Sequence, residues 1–270
     1  MITKSFAPAK INLTLHVTGQ RKDGYHLLDS LVIFASVGDT LSFFPNSKKL
    51  ELIISGPEAK YVPRGEDNLV LRAASLAGLT SGSFFLQKNL PLAAGIGGGS
   101  SNAAAALRLI RYTPNDNGQS LGADVPICIN RQSARMRGIG DIIDPIFNLT
   151  KIFAVLVNPR CFMPTQVVFE KLQRKSNPAM TDIPVTLDYR ELIKWLSLQR
   201  NDLEIPAQEI EPVIKTVFRT LRRANADLIR MSGSGSTCFG LFSNYESAQA
   251  AAQEITDNHP SWWVQPATLG

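Results

Sequence analysis

Apolar positions alternate, or run through β-branched and aromatic residues, from Ile11 to Val17 and from Leu27 to Phe44, the patterning of strands. Polar, glycine-containing stretches at 19–24 and at Val37-Gly38-Asp39 interrupt them, so the chain opens as strand, loop, strand with a break expected at 37–39. Leu50 to Ile54 predicts another strand. From Asn68 to Leu79 the apolar residues Leu69, Val70, Ala73, Leu76 and Ala77 recur at helical spacing, with Asn68 placed as N-cap. Ser83 to Gln87 reads as a strand. It leads into the glycine-rich turn Gly95-Ile96-Gly97-Gly98-Gly99 and then into Ser100 to Ile110, where four consecutive alanines favour a helix.

Beyond Asp124, strands are expected at Ile127–Ile129, Ala134–Gly138 and Ile152–Val157, the last closed by Asn158-Pro159. Helices are expected at Thr165–Gln173, Tyr189–Leu198, Ala207–Ala224 and Tyr245–Thr256, and strands at Leu228–Met231, Cys238–Phe242 and Trp263–Pro266. A boundary near Thr150 divides the chain into residues 1–150 and 151–270, both α+β in character.

Composition narrows the class. With 270 residues, 44% hydrophobic and 19% charged, and with ordinary glycine and proline usage, the chain is a globular one of one or two domains. Its longest clean apolar run, Ile152 to Val157, is far too short to span a bilayer, and no signal or transit peptide is read at Met1, which points to the cytoplasm. The charge of +5 is a mild attraction for anions. Arg219, Arg222 and Arg223 read as the solvated face of a helix, so no nucleic-acid partner is expected, nor a membrane. Cys128, Cys161 and Cys238 are odd in number and far apart, the pattern of reduced thiols.

The strongest chemical signal is Pro91-Leu92-Ala93-Ala94-Gly95-Ile96-Gly97-Gly98-Gly99-Ser100-Ser101. Glycines there let backbone N–H groups converge on an anion at the start of a helix whose dipole also favours negative charge, so phosphate is the natural guest. It is neither a Gly-x-x-x-x-Gly-Lys-Ser/Thr loop nor a complete dinucleotide fingerprint. Lys10 and Asn12 point to one face of an otherwise apolar strand, as site residues or as solvated positions of an edge strand. Asp124, in Leu-Gly-Ala-Asp-Val-Pro, is either a reactive acid or a turn or cap residue.

The blocks APAKINLTL at the N-terminus, DGYHLLDSL at 23–31, PLAAGIGGGSSNAAAA at 91–106, LGADVP at 121–126 and SGSGSTCFG at 232–240 occur in that order and together resemble the GHMP kinase superfamily. The resemblance extends over essentially the whole chain. It implies a two-domain α+β fold, an N-terminal domain like ribosomal protein S5 domain 2 and a ferredoxin-like C-terminal domain, with the active site in the cleft between them. It implies ATP and Mg2+, and a small-molecule alcohol as phosphoryl acceptor. Asp124 would take the proton of the acceptor hydroxyl, and Lys10 would neutralise charge at the transferred γ-phosphoryl and keep Asp124 a carboxylate.

By the same resemblance Asn12 hydrogen-bonds alongside Lys10, the loop Pro91 to Ser101 wraps the ATP phosphates, and Asn68 contacts adenine. Tyr25 and His26 match the positions with which one branch of the superfamily recognises cytidine, pointing to a cytidine diphosphate methylerythritol acceptor of the non-mevalonate isoprenoid route, phosphorylated on its 2-hydroxyl. Thr165 and Phe169 fall in the corresponding acceptor segment, although Gln166 stands where the family has proline. Homoserine, mevalonate or sugar acceptors, or a nucleotide-binding module without catalysis, are the alternatives, and DGYH argues against the first group because those acceptors carry no base to stack. The connections at 79–83 and 110–121 are shorter than is usual in the family, and no acidic cluster names a magnesium ligand.

Overall fold

In the computed structural model the described residues are 3–45, 47–147, 149–184 and 188–270. They divide into two compact units: residues up to 10, 37–92 and 97–131 form the first, and residues 11–36, 93–96 and 132–270 the second. The two are interleaved along the chain.

In the first unit, β4 (Leu50–Ser55) pairs in parallel with β5 (Gly82–Gln87), and β5 pairs antiparallel with the second half of β3 (His26–Phe44), Thr40 opposite Gln87. A parallel pair needs a crossover, and α1 (Leu69–Leu76) lies within it. The helix α2 (Gly98–Ile110) buries Ala103 to Leu107, and of these Ala103, Ala105, Ala106 and Leu107 join Leu41, Phe43, Leu52, Ile54, Phe84 and Leu86 in one core. Small side chains along that face let the helix approach its neighbours closely.

In the second unit the first half of β3 pairs antiparallel with β2 (His16–Gln20) and with β6 (Ala134–Gly138), which pairs in turn with β7 (Ile142–Pro145). β8 (Ile152–Asn158), β9 (Leu228–Met231), β10 (Cys238–Phe242) and β11 (Trp263–Leu269) follow the order β11-β8-β10-β9, every pair antiparallel. Helices α4 (Thr165–Glu170), α5 (Tyr189–Ser197), α6 (Glu204–Ile210) and α7 (Val213–Arg223) connect β8 to β9, and α8 (Tyr245–Asn258) connects β10 to β11. This is the βαββαβ order of the ferredoxin-like arrangement with an enlarged first crossover.

Four expectations are corrected. The strand at the N-terminus is β1 (Thr3–Asn12), which ends where 11–17 was expected to continue. β3 runs unbroken through 37–39, because Asp39 is not a surface turn residue: its buried carboxylate accepts from Lys88, Asn89 and Leu90. Ile127–Ile129 lies in a helix, α3 (Val125–Asn130), with Pro126 in the first turn where no amide proton is needed; a short apolar triplet does not distinguish strand from buried helix. The expected helix 207–224 is two, because Pro212 drives Glu211 out of the helical region (φ −125°, ψ 88°) and ends α6 there.

The short connection after α2 is closed by a turn in which Asp116 accepts from the amides of Gly118 and Ser120 at 2.9 and 2.8 Å. Arg219, Arg222 and Arg223 are exposed on α7. All three cysteines are free; Cys128 and Cys238 are buried, and burial pushes the Cys128 thiol up to about 12. No helix of the described residues is long and apolar enough to cross a membrane.

Candidate active site

In the first unit, Lys10 near the end of β1 donates from Nζ to Oδ1 of Asp124 at 2.8 Å, across 114 residues of sequence. Lys10 is buried and the Asp124 side chain is 31% exposed. Asp124 occupies the N-cap position of α3 but caps nothing with its carboxylate, so among the described residues its second oxygen has no partner. That combination, one oxygen held by a cation and the other open, suits a group that must receive a proton.

The start of α2 stands against the same lysine. Gly97, with φ of +63°, is the helix N-cap, and a Cβ there would lie 3.1 Å from Lys10 Cβ. No side chain caps the helix, and among the described residues the amides of Gly98, Gly99 and Ser100, at the positive end of the helix dipole, have no partner, while the Ser101 amide closes the first turn onto Gly97 O. Ser101 Oγ is buried and unpartnered. Pro91 is buried and Leu92 exposed at the loop's entry, and Ala93 has a positive φ of 49°.

A second ion pair, absent from the sequence reading, supports this loop. Lys88 Nζ donates to Asp39 Oδ2 at 2.8 Å and to Leu90 O at 2.6 Å, and it lies 3.4 Å from where a Gly98 Cβ would be. Asn68 caps α1 as expected: its Oδ1 accepts from Val70 N and its Nδ2 donates to Pro63 O. Both ends of that amide are committed locally.

In the second unit, Ala94, Gly95 and Ile96 are fastened to the Gly-Ser segment 232–237. The Thr237 amide donates to Ala94 O, Ser232 Oγ donates to Gly95 O, and a Cβ on Gly95 would meet Ser232 O at 2.4 Å. Asn12 N donates to Ser232 Oγ, and Asn12 Nδ2 to Ser30 Oγ. Thr165 Oγ1 at the start of α4 lies 2.8 Å from Ser234 Oγ. The His26 ring stacks on Phe169 with centroids 4.7 Å apart, and burial, then Lys175, holds its pKa below the ordinary value, so the imidazole is neutral at pH 7. Tyr25, its chain neighbour, is 62% exposed.

Behind the segment, Asn201 Nδ2 donates to both Met231 O and Gly233 O at 2.8 Å, and Glu204 Oε1 accepts from Met231 N. Burial pushes Glu204 up to about 7. Sequence reasoning took no site residue from 201–204 or 232–237; the only available signal was SGSGSTCFG, read as a family block. Among the described residues no group of three or more His, Cys, Asp or Glu could hold a metal ion.

A glycine-built helix start with free amides, set against a Lys–Asp pair, is the equipment of phosphoryl transfer to an alcohol. The descriptions "GHMP kinases N terminal domain" and "GHMP kinases C terminal" match residues 68–131 and 169–261, so the class is that of the GHMP kinases, enzymes of α+β fold. A 4-diphosphocytidyl-2-C-methyl-D-erythritol kinase of Dinoroseobacter shibae is 52% identical over 98% of this chain and 94% of its own, and one of Roseobacter denitrificans 49% over 100% and 94%. A crystal structure of 4-(cytidine 5'-diphospho)-2C-methyl-D-erythritol kinase superposes with a TM-score of 0.80 at 32% identity, covering 99% of both chains. Within the GHMP kinases, the chain belongs to the family of 4-diphosphocytidyl-2-C-methyl-D-erythritol kinases.

Proposed function

We propose that the chain transfers the γ-phosphoryl group of ATP to the 2-hydroxyl of 4-diphosphocytidyl-2-C-methyl-D-erythritol, a cytoplasmic step of non-mevalonate isoprenoid synthesis. The observation that carries this reading is the Lys10–Asp124 pair at 2.8 Å, with one carboxylate oxygen uncommitted. Asp124 accepts the acceptor's hydroxyl proton as the new O–P bond forms and the bond from phosphorus to the ADP oxygen breaks; Lys10 stabilises charge on the transferred group. The α2 amides of Gly98 to Ser100, within the loop Pro91 to Ser101, hold the nucleotide phosphates.

The residues fit Mg2+ brought in on those phosphates, since that ion keeps several waters and needs few protein oxygens, and Asp124 beside Lys10 leaves one carboxylate oxygen unbonded. Bound there, Mg2+ would offset charge on the β- and γ-phosphates. Asn68 contacts adenine by exchanging one of its local bonds. Tyr25, His26 and Phe169 take the cytosine, the neutral His26 offering hydrogen bonds to the base edge, and Asn12 and Thr165 bind the polyol. In this reading residues 1–150 carry the nucleotide loop and 151–270 complete the acceptor site, a division supported by family matches on either side of residue 150.

The test is a coupled ADP-release assay with ATP, Mg2+ and the cytidine diphosphate acceptor, beside homoserine, mevalonate and galactose. Turnover confined to the cytidine compound is expected. Turnover on another alcohol would discard the cytosine assignments and keep Lys10 and Asp124.

A further inference from the structure

The hydrogen-bond polarity around Asn12 can be followed atom by atom. Ser30 Oγ lies 2.5 Å from Thr14 O, a carbonyl that can only accept, so the single hydroxyl proton of Ser30 is committed to Thr14. What Ser30 has left is a lone pair. At 2.7 Å from Asn12 it can therefore only accept, which requires Asn12 to turn Nδ2 toward it. The opposite amide orientation would set two acceptors face to face. Thr14 is itself pinned, its Oγ1 accepting from Leu31 N and donating to Met180 Sδ, so the chain of donors has one direction from end to end.

The consequence falls on the other end of the amide. Asn12 Oδ1 is buried and has no hydrogen-bond partner, although Asn12 is 99% removed from solvent. Gly233 leaves room beside it, since a Cβ there would lie 3.4 Å from Oδ1. A buried carbonyl oxygen without a donor is costly unless a ligand supplies one. A phosphate oxygen cannot supply it, because a deprotonated phosphate only accepts.

We infer that Ser30 is a positioning residue that locks the Asn12 amide with its carbonyl oxygen turned away from Ser30 and toward Gly233, so that Asn12 binds a hydroxyl proton of the phosphoryl acceptor and not the phosphate. This deepens the proposed function and rests on it for the identity of the acceptor. It adds Ser30 to the site, fixes the sense of the Asn12 contact, and makes that contact a filter for alcohols over anions.

The experiment compares wild type, Ser30→Ala and Ser30→Thr in steady state with ATP and the cytidine diphosphate acceptor, measuring each KM at saturation of the other substrate. Without the serine lone pair the amide is free to turn, and Ser30→Ala is expected to raise the acceptor KM about tenfold while the KM for ATP stays within about twofold. Ser30→Thr, which keeps the hydroxyl, restores the acceptor KM. A serine that merely supports the fold would lower the melting temperature and the active fraction and leave the acceptor KM alone; that result, or an equal rise in both KM values, overturns the inference. Where either variant fails to fold, a crystal structure of wild type with the acceptor decides: Oδ1 within about 3.2 Å of a ligand hydroxyl supports it, and Nδ2 facing the ligand overturns it. Failure of the proposed function is distinct, because wild type would then be silent on the cytidine compound and active on another alcohol, on which the same Ser30 comparison is run.

Discussion

Two lysine–aspartate pairs in the first unit have the same chemistry and the same 2.8 Å separation, and they are built for opposite ends. At Lys88–Asp39 the side chains are 2% and 0% exposed, and the carboxylate also accepts from two backbone amides. Both side chains are sealed from solvent. At Lys10–Asp124 the carboxylate is 31% exposed and bonded through one oxygen only. On the proposed mechanism, exposure and an uncommitted oxygen set Asp124 apart from Asp39, since distance and residue type are identical in the two pairs.

The comparison can be broken by exchanging effects. Asp124→Asn keeps shape and removes the base, so turnover should fall by roughly 10²–10⁴ with ATP affinity nearly intact, while urea unfolding shifts by less than about 1 kcal/mol because the pair is partly solvated. Unchanged turnover would take Asp124 out of the chemistry. Lys88→Met should do the reverse. It strands the Asp39 carboxylate in the core and should cost about 3–5 kcal/mol in chemical denaturation; a loss below about 1 kcal/mol would mean that the pair is not closed in solution.

Glu204 sharpens the contrast as a buried acid with no directly bonded cation. Arg230 is near enough to lower its pKa, but donates its own protons to the carbonyls of Leu13, Leu196 and Gln199. Burial raises Glu204 from 4.5 to about 7. A raised acid is most stabilising when protonated, so its contribution is complete below about pH 4.5 and disappears as pH rises through about 7, a loss of about 3 kcal/mol. Glu204→Gln keeps an acceptor for the Met231 amide and should flatten that slope, melting higher than wild type at pH 8. An unaltered pH slope would place the titration elsewhere. The smallest effect is expected at Tyr25, which takes part in neither pair: Tyr25→Ala should weaken acceptor binding by about 1–3 kcal/mol if its ring stacks on the base, read as an acceptor KM rising with the KM for ATP unmoved.

Legibility in the sequence followed the range of the interaction. The glycine loop, the Asn68 cap and the alanine face of α2 are local devices, and each was readable from adjacent residues. Asp39 was misread as a break in β3 because its answer, Lys88, lies 49 residues away. Glu211 and Pro212 carried a local signal that helical periodicity overrode. Lys10 and Asp124 each looked ambiguous alone, since only the fold brings them together, and family resemblance supplied the link that spacing could not. Ser30 gave no signal at all, because its importance lies in which atom of it is already in use.

The interleaving of the units also bears on how the chain is made. The amide of Asn12 finds its partner, Ser232 Oγ, 220 residues downstream, and the carbonyl of Leu13 waits for Arg230. At the usual ~5–20 residues per second, a ribosome leaves the backbone amide of Asn12 without Ser232 for roughly 10–40 s. β1 and β2 can pair with β3 as soon as it emerges, but the backbone at 12–13 keeps open groups through that interval, a feature that a holding chaperone is placed to guard.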